Sequence, residues 1–280
     1  MESERSVNDY YDQCHVDYRV VWKLDETLSM HYGIYDDMHR DHYSAVINTN
    51  RVLSNIGGLN SSDKVLDVGC GIGGSAIWIA ENVGAEVIGI NKNEGQIQIA
   101  NEIIRKRNLG SRVKVINMDF MKTKFQTESF DVVYGIESVC HAEDKKRFLS
   151  EAKRIMRNGG RLIVADGFLT NNEVSMREKE EMDKWLRGWA VPNLSRIEDF
   201  LRYLRELKYK NIRFIDVTDK VMPSSRRMYF ASFAGYPVSR LLEIFGARTK
   251  VQTGNVISAY YQHKTLKKGL WKYGIVYAEK

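Results

Sequence analysis

Two periods alternate along the chain. Short apolar runs of strand character fall at 64–68, 86–90, 112–117, 130–135 and 161–166. Between them the apolar positions recur at helical spacing. A helix is expected from Ser75 to near Gly84. A second runs over 94–107 with Ile97, Ala100, Ile103 and Ile104 facing inward, and a third over 145–156, stopped by Asn158-Gly159-Gly160. Ahead of the first strand, 41–57 reads as a helix with Val46, Ile47, Val52, Leu53 and Ile56 as its apolar side, ending near Gly57-Gly58. Five alternations of strand and helix over short connections predict a parallel sheet covered on both faces.

From residue 167 the rhythm changes. Residues 173–190 form a charged helical stretch carrying Met176, Met182, Trp185, Leu186 and Trp189. Ser195-Arg196-Ile197-Glu198 reads as a capping box. It opens an amphipathic helix with Ile197, Phe200, Leu201, Leu204 and Leu207 on one face. That face is expected on the sheet, with a membrane-surface helix as the other reading. A sixth strand follows at 211–217. Helices are expected within 223–268, broken at Gly235-Tyr236-Pro237 and around 246–254, and 270–278 closes the chain as a last strand.

The sharpest local pattern is Lys64-Val-Leu-Asp-Val-Gly-Cys-Gly-Ile-Gly-Gly74: a strand, a glycine turn, then a helix. Gly69, Gly71 and Gly74 formally satisfy the spacing of a dinucleotide site. Asp67 argues otherwise, because its carboxylate would repel a pyrophosphate but suits a cationic ligand such as S-adenosylmethionine. The second strand also ends at Asn91, where a dinucleotide site would offer an acid. Ligands of such sheets bind beyond the carboxyl ends of the strands, where Gly69, Asn91, Asp119 and Glu137 all fall.

Composition narrows the class. The chain has 280 residues, 43% hydrophobic and 28% charged, and three scattered cysteines without a disulfide pattern. These values fit a globular protein of a reducing compartment, and the expected location is cytoplasmic. No apolar run approaches a membrane span. Charge is uneven: residues 1–168 carry a net −3 and residues 169–280 a net +9. The basic third could meet an anionic substrate or membrane surface, or only solvent. Nucleic acid is not expected, because the basic residues are dispersed and no binding module is visible. Residues 7–45 concentrate aromatics and histidines, among them Tyr11, His31, Tyr32 and Tyr35. They read either as a buried helical arm or as a lid over a site. No metal site is expected, because no histidine pair is joined by a third ligand.

Together these residues resemble the class I S-adenosylmethionine-dependent methyltransferases, nearest the sterol C-methyltransferase and tocopherol methyltransferase group. The likeness is carried by 65–74, by Gly89-Ile-Asn-Lys-Asn-Glu-Gly-Gln96, by Met118-Asp-Phe-Met-Lys122, by Ile136-Glu-Ser-Val-Cys-His-Ala-Glu-Asp144, by His31-Tyr-Gly33 and by Lys268-Gly-Leu-Trp-Lys-Tyr-Gly274. Residues 170–265 match no single member. The resemblance implies an α/β, Rossmann-like doubly wound sheet of seven strands, mostly parallel with an antiparallel last strand, plus helical cap insertions. It divides the chain into an N-terminal lid (1–45), a cofactor-binding core (46–168) and substrate-cap helices with the final strands (169–280).

It also implies cofactor contacts at Asp67, Gly69 and Gly71, ribose contacts around Asn91 and Gln96, and adenine contacts at Asp119 and Phe120, with Cys70, Lys92 and Ile136 beside them. Glu137, His141 and Tyr32 become the catalytic candidates. His141 suits a base because its ordinary pKa lies near neutral pH; a loop histidine satisfied by backbone is the other reading. The expected reaction is methyl transfer to a small apolar acceptor, foremost C-methylation of an isoprenoid or lipid-like substrate. The acceptor could carry an anionic head group held by Arg226-Arg227. O- or N-methylation of an aromatic product or small amine is the alternative, and a cofactor-binding scaffold without turnover is another. Peripheral membrane contact and a homo-oligomer stay open.

Overall fold

The computed structural model describes residues 2–170 and 173–280. The elements in order are α1 (Glu2–Val21), α2 (Leu24–Thr27), α3 (His42–Gly57), β1 (Lys64–Val68), α4 (Gly74–Asn82), β2 (Glu86–Asn91), α5 (Glu94–Lys106), β3 (Val113–Asn117), β4 (Phe130–Ile136), α6 (Lys145–Ile155), β5 (Met156–Leu169), α7 (Met176–Gly188), α8 (Ile197–Glu206), β6 (Lys210–Asp216), α9 (Thr218–Ile244), α10 (Lys250–Lys267) and β7 (Trp271–Glu279). The seven strands form one sheet in the order β3-β2-β1-β4-β5-β7-β6. Neighbours from β3 to β5 are parallel, and β7 runs antiparallel between β5 and β6. This is the doubly wound arrangement expected, with the reversal of strand order between β1 and β4.

The middle of the sheet is buried on both faces, while the edge strands β3 and β6 are partly open. One face packs Phe130, Phe148, Phe168, Phe200 and Leu204, with α6 and α8 above it. The predicted apolar face of α8 therefore meets the sheet. The other face packs Tyr134, Ile163, Trp271 and Tyr273 with the remaining helices. Burial of β1 from Val65 to Val68 and of β4 from Val132 to Gly135 explains why apolar residues fall on both faces of these strands.

Three local expectations are corrected. Asn158-Gly159-Gly160 does not separate helix from strand. The chain enters β5 directly at Met156, and the extra residues are absorbed where partners shift from Phe130–Met156 to Val132–Arg161. The capping box at Ser195 is absent: the N-cap is Arg196, with no side-chain cap bond. The Ser195 carbonyl instead accepts from the Leu169 N–H at 2.9 Å, which ties this turn to the end of β5. Capping boxes do occur at Ser175–Glu178 and Thr249–Gln252. The helix does not break at Gly235-Tyr236-Pro237. It continues as α9 to Ile244, because packing along α10 holds the helix through the single backbone bond that Pro237 removes. The expected apolar side of α3 meets the core through Val46, Val52, Leu53 and Ile56, and the helix also buries Asn48, Thr49 and Asn50. The Asn48 amide donates to the Ile34 carbonyl (2.8 Å) and the Thr49 hydroxyl to the Tyr32 carbonyl (3.0 Å). Its polar positions thus clamp segment 31–35 into the core.

Candidate active site

At the carboxyl end of β1 the chain turns through Gly69, Gly71 and Gly73, with φ of 70°, 55° and 83°. These left-handed angles favour glycine, and they aim the start of α4 across the strand end. Gly74 is required for another reason: a Cβ there would lie 2.1 Å from the Leu28 carbonyl oxygen, so the segment after α2 rests directly on the turn.

A cavity of about 670 Å³ opens beside this turn. It is lined by Asp67, Gly69, Cys70, Gly71, Asn91, Lys92, Gln96, Asp119, Phe120 and Ile136, so every residue expected to touch a cofactor meets at one place. Asp67 is 3% exposed and its Oδ2 has no partner. Burial pushes its carboxyl up to about 7, against one backbone bond from Ala76. An orphaned buried carboxyl oxygen in a cavity calls for a cationic ligand group. Asn91 is held from all sides: its amide donates to Gln96 Oε1 (2.7 Å) and the Gly71 carbonyl (3.2 Å), and its Oδ1 accepts from the Lys92 N–H (2.8 Å). Asp119 Oδ1 accepts from the Met121 N–H, and Lys92 Nζ stands 3.5 Å from Oδ2. The Phe120 ring packs edge-on against Phe148. This donor and acceptor set, with a carboxylate for a cation and a ring edge beside an acid, fits S-adenosylmethionine.

A second cavity of about 350 Å³ lies on the far side of Glu137 and His141. Its walls are mostly apolar, with Val21, Trp22, Trp185, Trp189, Leu194 and Met228 among them. The two cavities share Tyr11, Met30, Glu137, His141 and Val191. Anything passing from one to the other passes these side chains.

Glu137 sits just past β4 with φ of 48°, a left-handed angle unusual for a residue with a Cβ and costing about 1 kcal/mol or more. Its Oε1 accepts from the Tyr32 N–H (2.7 Å) and the Tyr273 hydroxyl (2.8 Å). Burial outweighs both bonds and pushes its carboxyl up to about 8. His141 stands between the Ala190 carbonyl (3.2 Å from Nδ1) and the Tyr11 hydroxyl (3.1 Å from Nε2). Nδ1 must donate to the carbonyl, so Nε2 accepts from Tyr11. Burial pushes the imidazole down to about 4, so it is neutral at pH 7.

Tyr32 is buried, and its hydroxyl donates to Gln262 Oε1 (2.8 Å). It therefore reaches the second cavity by its ring and holds Glu137 by its backbone. Tyr35, read as part of the same lid, lines neither cavity, because its backbone is fixed to Lys220 and its hydroxyl lies toward Ser224. Tyr229 stacks on Tyr260 instead of the cavity. Arg226 and Arg227 line neither cavity; the guanidinium that does reach the apolar one, Arg248, is paired with Asp17 at 2.6 Å. Among the described residues no group of three His, Cys, Asp or Glu could hold a metal ion.

Sequence reasoning missed Tyr11, Met30, Asp166 and Tyr273 as site residues. Asp166 ends the strand expected at 161–166 and lies three residues before the end of β5, as Asp67 lies one before the end of β1; it is buried and accepts from the Cys140 N–H at 2.7 Å. The rule of strand carboxyl ends would have found it. Period-two alternation puts Trp271 and Tyr273 on one face of β7, which was the available signal for Tyr273.

Fold and site together define a Rossmann-like protein with a cation-seeking pocket at its glycine turn and an apolar chamber beyond. Residues 66–164 match the family described as methyltransferase domain. The chain is 32% identical to the sterol 24-C-methyltransferase of Kluyveromyces lactis, over 77% of this chain and 59% of that protein. It is 30% identical to the O-methyltransferase resE of Aspergillus sclerotiorum, over 77% of this chain and 82% of that protein. It thus spans about three-fifths of the sterol enzyme it matches. Among solved structures, the [4+2]-cyclase SpnF superposes with a TM-score of 0.78 at 20% identity, covering 98% of this chain and 94% of that one, and shares the fold. The chain belongs to the class I S-adenosylmethionine-dependent methyltransferases.

Proposed function

We propose that this chain transfers a methyl group to carbon in an apolar, isoprenoid or lipid-like acceptor. The observation that carries it is the apolar chamber joined to the cofactor pocket at Tyr11, Glu137 and His141. The likeness to sterol 24-C-methyltransferases supports the same reading. Asp67, Asn91, Gln96, Asp119 and Phe120 would hold S-adenosylmethionine, which would supply an electrophilic methyl and keep the electron pair of the broken sulfur–carbon bond as a neutral thioether. The walls exclude water and align the acceptor for in-line displacement. An acceptor alkene gives its π electrons to the new carbon–carbon bond and becomes a cation, which the rings of Tyr11 and Trp185 stabilise by about 0.5–2 kcal/mol each. Loss of a proton restores neutrality. Glu137 is the base in this reading: both its hydrogen bonds fall on Oε1, leaving Oε2 for the proton, and a cationic neighbour favours its ionised form. Tyr32 is a positioning residue, holding Glu137 by its N–H.

The head group is uncharged within this chamber. Arg226 and Arg227 stand outside it and Arg248 is already neutralised by Asp17, so an anionic group entering it would lose hydration without gaining a cation. A second reading, O-methylation of a phenol, draws on the resE likeness and on neutral His141, whose Nε2 could take a phenolic proton when Tyr11 turns away. Methyl-labelled donor offered with sterols, prenyl alcohols, prenyl diphosphates, phenols and small amines separates these. Label on carbon of a neutral isoprenoid is the expected result. Label on oxygen of phenols alone establishes the second reading, turnover only of the diphosphates overturns the uncharged head group, and donor binding without turnover of any acceptor leaves a scaffold.

A further inference from the structure

From Ser225 onward α9 is built inside out. Ser225, Ser232 and Ser239, seven residues apart, are buried against the protein. The opposite stripe carries Phe230, Phe233, Leu241, Ile244 and Phe245, all exposed, the last two at 73% and 77%. An amphipathic helix of a globular protein does the reverse. Beside this stripe stand Val16 and Val20 of α1, at 61% and 71% exposure, and Val238 and Leu242 of α9. These four also line the apolar chamber, so its mouth opens within the exposed apolar surface. Residues 218–268, which form the α9–α10 hairpin, carry nine Lys and Arg against two Asp and Glu; Arg240, Arg248, Lys264 and Lys268 are paired with Glu243, Asp17 and Glu181, which leaves Lys220, Arg226, Arg227, Lys250 and Lys267.

We propose that this face docks on an anionic lipid surface and takes the apolar acceptor into the chamber directly from the bilayer. The inference rests on the reading of the chamber as an acceptor site. Contiguous exposed apolar surface marks a binding face. A second copy of the chain seated here would close the mouth, whereas a bilayer leaves it open to a lipid-dissolved molecule. The cations outside these pairs, with Lys250 at the hairpin turn beside Phe245, favour anionic lipid. None of the helices among the described residues is long and apolar enough to cross a membrane, so α9 lies in the interface, with Phe245 and Ile244 at the turn of the hairpin entering deepest.

Co-sedimentation of the full chain with vesicles tests this without turnover, so failure here leaves methyl transfer standing, and failure of methyl transfer leaves docking standing. The chain should bind vesicles of phosphatidylglycerol and phosphatidylcholine, and phosphatidylcholine alone more weakly. Leu241→Glu, Ile244→Glu and Phe245→Glu together touch neither cavity and should reduce binding at least tenfold, with donor affinity by calorimetry unchanged. Wild-type chain that stays in solution with both compositions overturns the proposal, as does a triple variant that binds like wild type. Sedimentation velocity adds the remaining arm: a dimer that the triple variant dissolves assigns the face to a second copy and overturns lipid docking.

Discussion

Glu137 and His141 face the same junction with opposite electrostatic histories. Burial raises the carboxyl and lowers the imidazole, so each is held near its neutral form. A base must be ionised or neutral before it acts, and only the imidazole meets that condition without help. The carboxyl meets it once a cation lies alongside. Glu137→Gln keeps the shape and both acceptor bonds at the amide oxygen, so donor affinity should change less than threefold. The rate of product formation, which includes the proton loss that follows methyl transfer, should fall about 10²–10⁴-fold, the range for loss of a general base. Single-turnover kinetics reads both. A loss confined to donor affinity would make Glu137 a binding residue only. The same experiment on His141→Gln distinguishes the O-methylation reading, in which His141 carries the larger loss.

At the scale of elements, α1 joins both cavities: Val7, Asn8 and Tyr11 line the cofactor pocket, and Asp12 accepts from the Asn93 amide at 2.7 Å. We propose that it works as a lid. It is not a detachable one, since Tyr10 and Cys14 are buried and Tyr10 bonds Asn255 of α10. Limited proteolysis between residues 7 and 23 should slow at least fivefold when donor is bound; equal rates with and without donor would remove the lid. The strand–helix rhythm was legible in the sequence because β1, β4 and the middle of β5 are buried on both faces, β2 and β3 keep their alternate residues buried, and their helices show one apolar stripe. The cofactor pocket was legible because strand ends and glycine spacing are local signals. What stayed hidden was non-local. Tyr35 was assigned to the site by its neighbour Tyr32, but strand-like alternation sends the two side chains apart, one to Gln262 and one toward Ser224. Pro237 ended a helix on paper because a sequence does not show the α10 surface that holds α9 together.

Across the whole molecule, buried titrating groups make stability and binding depend on pH in a defined sense. Asp67, Glu137 and Asp166 are pushed up to about 7, 8 and 6. In the unfolded chain these carboxyls ionise near pH 4, so the folded chain holds more protons between about pH 4 and 8 and its stability falls as pH rises through that window. His31, His42 and His141 are pushed down to about 4 and act oppositely: their contribution is present above about 6.5 and is lost as pH falls toward 4. The two groups oppose each other below about pH 6.5, and above it only the carboxyls remain, so the melting temperature of the ligand-free chain should decline from pH 6.5 to 8.5. A cationic donor beside Asp67 must draw it into its ionised form. Binding then releases a proton wherever Asp67 is protonated beforehand, and donor affinity should rise about five- to tenfold between pH 6 and 7.5. Asp67→Asn should weaken binding and abolish this slope, whereas Glu137→Gln should leave most of it. Calorimetry in two buffers of different ionisation heat measures the released proton directly. A Kd flat across the window, or a slope that survives Asp67→Asn, would show that the orphaned oxygen of Asp67 is not where the cation sits.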